Sequence, residues 1–122
     1  MQKGKVLVVE NESIVRDTLQ VLLGDEYDIF LFRSGEEAQK FAQEYPVDVA
    51  LIDIKMSGID VLRILKNINS DTEVIMITTH DSLENAIGAM KYGASGYIRK
   101  PFNPKELKEI LNKAMERKKK NK

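Results

Sequence analysis

The chain has 122 residues, enough for one hydrophobic core that buries most of the surface the unfolded chain would expose. Lys plus Arg balances Asp plus Glu at 19 each, so no global charge pulls the molecule toward nucleic acid or a membrane surface. There is no cysteine, which excludes disulfide scaffolds, thiolate catalysis and zinc knuckles, and no apolar stretch approaches the ~20 residues needed to cross a bilayer.

Met1-Gln2-Lys3-Gly4-Lys5 leads straight into a strand-like run without the features of a signal peptide, so a cytoplasmic location is expected. The first strand is read over Lys5–Glu10. A helix over Ser13–Leu23 follows, with Ile14, Leu19, Leu22 and Leu23 spaced for a buried stripe and Gly24 stopping it. Tyr27–Phe32 reads as the second strand. Ser34-Gly35-Glu36-Glu37 matches a capping box, in which the serine and the residue three places on satisfy each other's backbone donors, and this second helix ends before Pro46. Val47–Asp53 is the third strand, and a third helix over Ile59–Asn67 turns Leu62 and Leu65 inward. Thr72–Thr78 is the fourth strand; the helix after it runs from Ser82 to Tyr92 and halts at Gly93, where a left-handed cap belongs. Gly96–Ile98 is the fifth strand. Asn103-Pro104-Lys105-Glu106 opens the last helix, with Asn as cap, Pro at the first helical position and Glu completing the box.

Strands alternating with helices across short connections predict parallel strands joined by right-handed crossovers, a three-layer α/β sandwich. One domain is read over 1–116. The basic run Arg117–Lys122 holds no apolar residue, and reads as a solvated helix end with a tail, or as the start of a linker.

Four strands end on chemically useful groups: Glu10-Asn11, Asp53, Thr78 and Lys100. In a parallel sheet all carboxyl ends lie along one edge, where ligands bind, so these groups are predicted to meet in one crevice. Carboxylate oxygens suit Mg2+, which keeps water, carbonyl and phosphate oxygens in its remaining positions. Lysine can neutralise a phosphoryl oxygen, threonine can donate to another, and aspartate is a competent nucleophile toward phosphorus. Together they describe a phosphoaspartate site.

The segments VLVVENE at the first strand, LIDIKMSGIDVL around Asp53, VIMITTH at the fourth strand and AIGAMKYGASGYIRKPF through the fifth carry a resemblance over essentially the whole chain. In these the chain resembles a receiver domain of a two-component response regulator. The resemblance implies a flavodoxin-like (βα)5 sandwich with a five-stranded parallel sheet of order 2-1-3-4-5. It implies that Asp53 accepts a phosphoryl group from a histidine kinase with Mg2+ held by Glu10, Asn11, Asp53 and the backbone carbonyl of Lys55. Thr78 resembles the switch hydroxyl, Lys100 the phosphate-contacting lysine, Tyr97 the aromatic that swings between rotamers, and Lys100-Pro101 the family's cis-prolyl turn. Lys55 and His80 lie two residues beyond Asp53 and Thr78, at positions that flank the phosphoryl group; for His80 the competing reading is an exposed loop residue. The implied partners are a sensor kinase, an output domain or downstream protein, and a second copy docked through the fourth helix, fifth strand and fifth helix; direct contact with nucleic acid or membrane is not expected of this domain. The stretch from Val74 to Phe102 resembles receivers fused to enhancer-binding ATPase domains.

Departures from the family pattern fall at the site. Asn11 replaces one acid of the usual pair, which predicts weaker Mg2+ binding; the other reading, that Asn11 caps the next helix, is compatible with it. Ser57 follows Met56 where the family usually has proline, and Val61 stands where glycine is common, so a loop set differently is expected there. Other classes fit less well. A haloacid-dehalogenase-like phosphatase wants a second aspartate where Lys55 stands. A flavin carrier of similar fold needs a phosphate cradle that Glu10-Asn11-Glu12 would repel. A pseudo-receiver without phosphochemistry draws support from Asn11 alone.

Overall fold

The computed structural model describes residues 3–120. In chain order it contains β1 (Gly4–Val9), α1 (Ser13–Leu23), β2 (Tyr27–Phe32), α2 (Gly35–Glu44), β3 (Val49–Asp53), α3 (Gly58–Ile68) and β4 (Glu73–Thr78). A 3-10 turn at His80–Ser82, α4 (Leu83–Gly88) and a second 3-10 turn at Ala89–Tyr92 lead into β5 (Gly96–Arg99) and α5 (Pro104–Lys120). The sheet is parallel throughout, ordered β2-β1-β3-β4-β5, as the resemblance implied.

Alternation along the strands sorts the core into two layers. Leu7, Val9, Ala50, Ile52, Val74 and Met76 face α2, α3 and α4. Their neighbours Val6, Val8, Val49, Leu51, Ile75 and Ile77 face α1 and α5. The central strands are therefore apolar on both faces, which leaves only their ends for polar chemistry.

The helix signals hold locally. The Ser34 hydroxyl accepts from the Glu37 N–H at 3.2 Å, and Asn103 Oδ1 accepts from the Glu106 N–H at 3.1 Å, so both N-caps form. Gly93 takes the left-handed conformation (φ 105°) expected where the preceding helical stretch stops. Three expectations need correction. Ile14 is exposed rather than part of the α1 stripe, which Leu19 and Leu23 form with Val15 and Leu22 partly buried beside them. β3 starts at Val49, not Val47: Val47 is buried, but its carbonyl goes to the Thr72 hydroxyl and Asp48 bonds the start of β1. The helix read over 82–92 is broken into α4 and two 3-10 turns, with helix-disfavouring Gly88 at the junction. The basic residues Arg117–Lys120 continue α5, and Arg117 Nε binds buried Glu73 at 2.6 Å, which also accepts from the Ser95 hydroxyl.

Candidate functional site

The backbone between β3 and α3 is shaped to present Asp53. Gly58 folds back so closely that a Cβ there would lie 2.8 Å from the Asp53 carbonyl and 2.9 Å from Met76 Cε. Just before it, Ser57 adopts a left-handed conformation (φ 54°), the one described non-glycine residue to do so. Proline could not, because its ring fixes φ near −65°, so serine at 57 is compatible with this turn where a proline would not be. Val61 is buried, and a Cβ on Gly35 would meet its Cγ2 at 2.7 Å, so the volume added at 61 is accommodated by glycine at 35.

Around Asp53 the strand ends converge. The Lys55 backbone N–H donates to Asp53 Oδ1 at 3.0 Å. Lys100 Nζ reaches Glu10 Oε1 at 2.8 Å, Glu12 Oε1 at 3.2 Å and Asp53 Oδ2 at 3.3 Å. The Lys100 backbone N–H donates to the Thr78 carbonyl at 2.8 Å, and the Lys100-Pro101 peptide is cis. Thr78 is fully buried, its hydroxyl donating to the Thr79 carbonyl at 2.9 Å. The structure thus brings Glu10, Asp53 and Lys100 into direct contact and places Thr78 on the strand adjoining both β3 and β5.

Four other sequence candidates keep their side chains apart from that contact. Asn11 is exposed and makes no side-chain hydrogen bond among the described residues; the N-cap of α1 is Glu12, so Asn11 does not cap it. Lys55 turns its ammonium to Asp81 at 3.3 Å, across the gap between the β3–α3 and β4–α4 loops, and Asp81 also accepts from the Thr79 hydroxyl. His80 is exposed at the start of its 3-10 turn, as the competing reading of an exposed loop residue has it. Tyr97 is half-buried against the α2–α4 layer.

Sequence reasoning missed Glu12. It brings a carboxylate oxygen to the cluster with Glu10 and Asp53, all within 4.8 Å of one another. No spacing rule reveals this, because an acid at the start of a helix ordinarily serves the helix. The donors are hard anionic oxygens with no nitrogen or sulfur, a set that fits Mg2+ or Ca2+ and disfavours zinc or copper.

Burial pushes the Glu10 carboxyl above its ordinary value, with the Asp53 charge adding to the effect and the bonds from Lys100 and the Glu12 N–H opposing it. For Lys100, burial would lower the pKa, but the bond to Glu10 and the charges of Asp53 and Glu10 together outweigh it and hold the ammonium above its usual range. Lys100 is therefore a firm cation, and the buried carboxyl bears the desolvation. Asp81 is held below the ordinary range by the Thr79 hydroxyl and then by Lys55.

Buried acids and a lysine thus meet at the carboxyl edge of a doubly wound parallel sheet, the edge at which ligands of such sheets bind. The family model of the response regulator receiver domain matches residues 6–112, and the chain belongs to that family. It is 34% identical over 119 residues to the uncharacterized transcriptional regulatory protein YkoG of Bacillus subtilis, covering 94% of this chain and 52% of that protein. Aerobic respiration control protein ArcA of Escherichia coli is 31% identical over 122 residues, covering 94% of this chain and 51% of its own. The chain thus spans about half the length of these two relatives. Among solved structures, a response regulator receiver domain protein of Clostridium thermocellum superposes with a TM-score of 0.91 at 36% identity, covering 98% of this chain and 99% of that one. The protein is a receiver domain of a response regulator, a signalling switch.

Proposed function

We propose that Asp53 accepts a phosphoryl group from a sensor histidine kinase and that the modified domain changes shape to control an output domain or downstream protein. The observation that carries this reading is the hold on the Asp53 carboxylate from two sides, by the Lys55 N–H on Oδ1 and Lys100 on Oδ2. In the transfer an Asp53 oxygen forms a bond to phosphorus as the bond from phosphorus to the kinase histidine breaks. Lys100 keeps a cation against the transferred group, and Thr78 turns its hydroxyl from the Thr79 carbonyl to a phosphoryl oxygen. Glu10, Asp53 and the Lys55 carbonyl are the protein groups proposed to hold Mg2+, with Asn11 as the neutral member of the set; bound there, the cation supplies charge neutralisation for phosphoryl transfer.

Tyr97 follows Thr78 inward, and the face of α4, β5 and α5 changes with it. Ile87, Met90 and Tyr92 are large apolar side chains left exposed in that region and fit a face used by a partner or a second copy. The kinase is given a second apolar edge beside the site, a groove of about 430 Å³ between Ile14, Val15, Lys100 and Phe102. Lys55 and His80 flank the phosphoryl group and set the access of water, so the domain catalyses its own phosphorylation and hydrolysis but turns over no separate metabolite. No helix among the described residues is long and apolar enough to cross a membrane; a cytoplasmic place and no direct nucleic-acid contact complete the proposal, with residues 1–116 as the switching unit and the basic end of α5 leading toward the output.

Intact-mass measurement after acetyl phosphate and Mg2+ tests it. Wild-type protein gains one phosphoryl group and Asp53→Ala gains none. An unchanged mass in well-folded wild-type protein would instead favour a pseudo-receiver.

A further inference from the structure

We infer that Glu12 supplies the third carboxylate to the cation of this site, taking over the charge that Asn11 lacks; the inference rests on the metal-dependent phosphotransfer proposed above. Glu12 occupies the N-cap of α1, where a side-chain oxygen ordinarily accepts a backbone N–H of the first turn. Its carboxylate makes no such bond. It reaches instead to Lys100 Nζ at 3.2 Å and stands within 4.8 Å of the Glu10 and Asp53 carboxylate oxygens.

The backbone explains the placement. The Glu12 N–H donates to Glu10 Oε2 at 3.1 Å while Arg16 Nη1 holds the Glu10 carbonyl at 2.7 Å, so the turn after β1 folds back over Glu10. That fold brings residue 12 to the crevice and leaves Asn11, between the two acids, exposed and unbonded among the described residues. Three carboxylates against the single ammonium of Lys100 leave two negative charges in the cluster, the charge of one divalent cation. Glutamate has the longer arm, and its side chain is 59% exposed, so it can shift from the lysine to the cation without disturbing the core. Lys100 then loses one of its three partners and has a donor to offer the phosphoryl group.

The test is a calorimetric titration of Mg2+ alone, without phosphodonor, into wild-type protein, Glu12→Gln, and Glu12→Gln combined with Asn11→Asp. Because Glu12 is largely exposed and its side chain caps nothing, Glu12→Gln is expected to fold normally. It should bind Mg2+ about fivefold more weakly, the factor for loss of one unit charge near a water-exposed site. The double variant should recover wild-type affinity, because it moves the third carboxylate back to position 11. Equal binding by wild type and Glu12→Gln would overturn the role of Glu12 and leave phosphotransfer standing. Absence of saturable binding in the wild type would overturn both.

Discussion

Lys100 is the counter-ion of the acidic cluster before any phosphate arrives, and replacing it by methionine exposes what that costs. Methionine keeps much of the aliphatic stem, so the loss is mainly charge. Two of the three carboxylates that Lys100 neutralises are buried, with Glu10 at 0% and Asp53 at 4% side-chain exposure. Removing one partner of a buried ion pair costs about 3–5 kcal/mol. Lys100 itself retains 14% exposure, and Glu12 faces water, so its pair with the lysine contributes little. A loss of about 2 kcal/mol is expected at neutral pH without divalent cations, equivalent to a fall in Tm of roughly 5–10 °C for a domain of this size. Urea unfolding followed by circular dichroism measures it. Millimolar Mg2+ should restore most of the loss in Lys100→Met and stabilise the wild type less, since a cation replaces the missing ammonium. A loss below about 0.5 kcal/mol, or one indifferent to Mg2+, would refute the account of Lys100 as the resident counter-charge.

Gly35→Ala should destabilise by about 1–2 kcal/mol, because the new Cβ drives into the stiff, β-branched Val61 side chain; in a Val61→Ala background the same change should stabilise α2, and thermal unfolding of the two pairs reads the reversal of sign. Burial, with the nearby Glu26 charge, raises the Tyr27 phenol above its ordinary 10.0. The folded form therefore keeps this proton longer than the unfolded form, and the stability involved is complete below pH 10.0 and lost as pH climbs through the raised value. In a spectrophotometric titration of the four tyrosines, Tyr27→Phe should remove one phenol that ionises above 10.0. Asn11→Asp adds a fourth acid to the site and should bind Mg2+ several-fold more tightly and react faster with acetyl phosphate; equal affinity would mean that position 11 stays clear of the cation.

The parts of the fold set by local chemistry are readable from the residues alone. Ser34 and Asn103 cap their helices by contacts within three residues, Gly93 takes the backbone shape only glycine adopts easily, and the apolar central strands β3 and β4 have to end where Asp53 and Thr78 stand. What escapes such a reading depends on distant partners. Ile14 fits a helical stripe by spacing, but the rotation of α1 against the sheet is decided by how Leu19 and Leu23 pack with α5, which periodicity does not contain. Spacing points Lys55 toward Asp53, whereas Asp81, 26 residues on, captures its ammonium. Glu12 meets a lysine 88 residues away, a distance no motif spans.

Gly35 and Val61 share one volume, and that ties the two positions to each other. In a chain whose position 61 holds glycine, as the family commonly does, a side chain at 35 meets no such obstacle. Once valine stands at 61, any side chain at 35 carries a packing cost. Glycine at 35 is thus permissive for a β-branched residue at 61. Moving this α3 into another receiver should therefore lose stability unless residue 35 travelled with it.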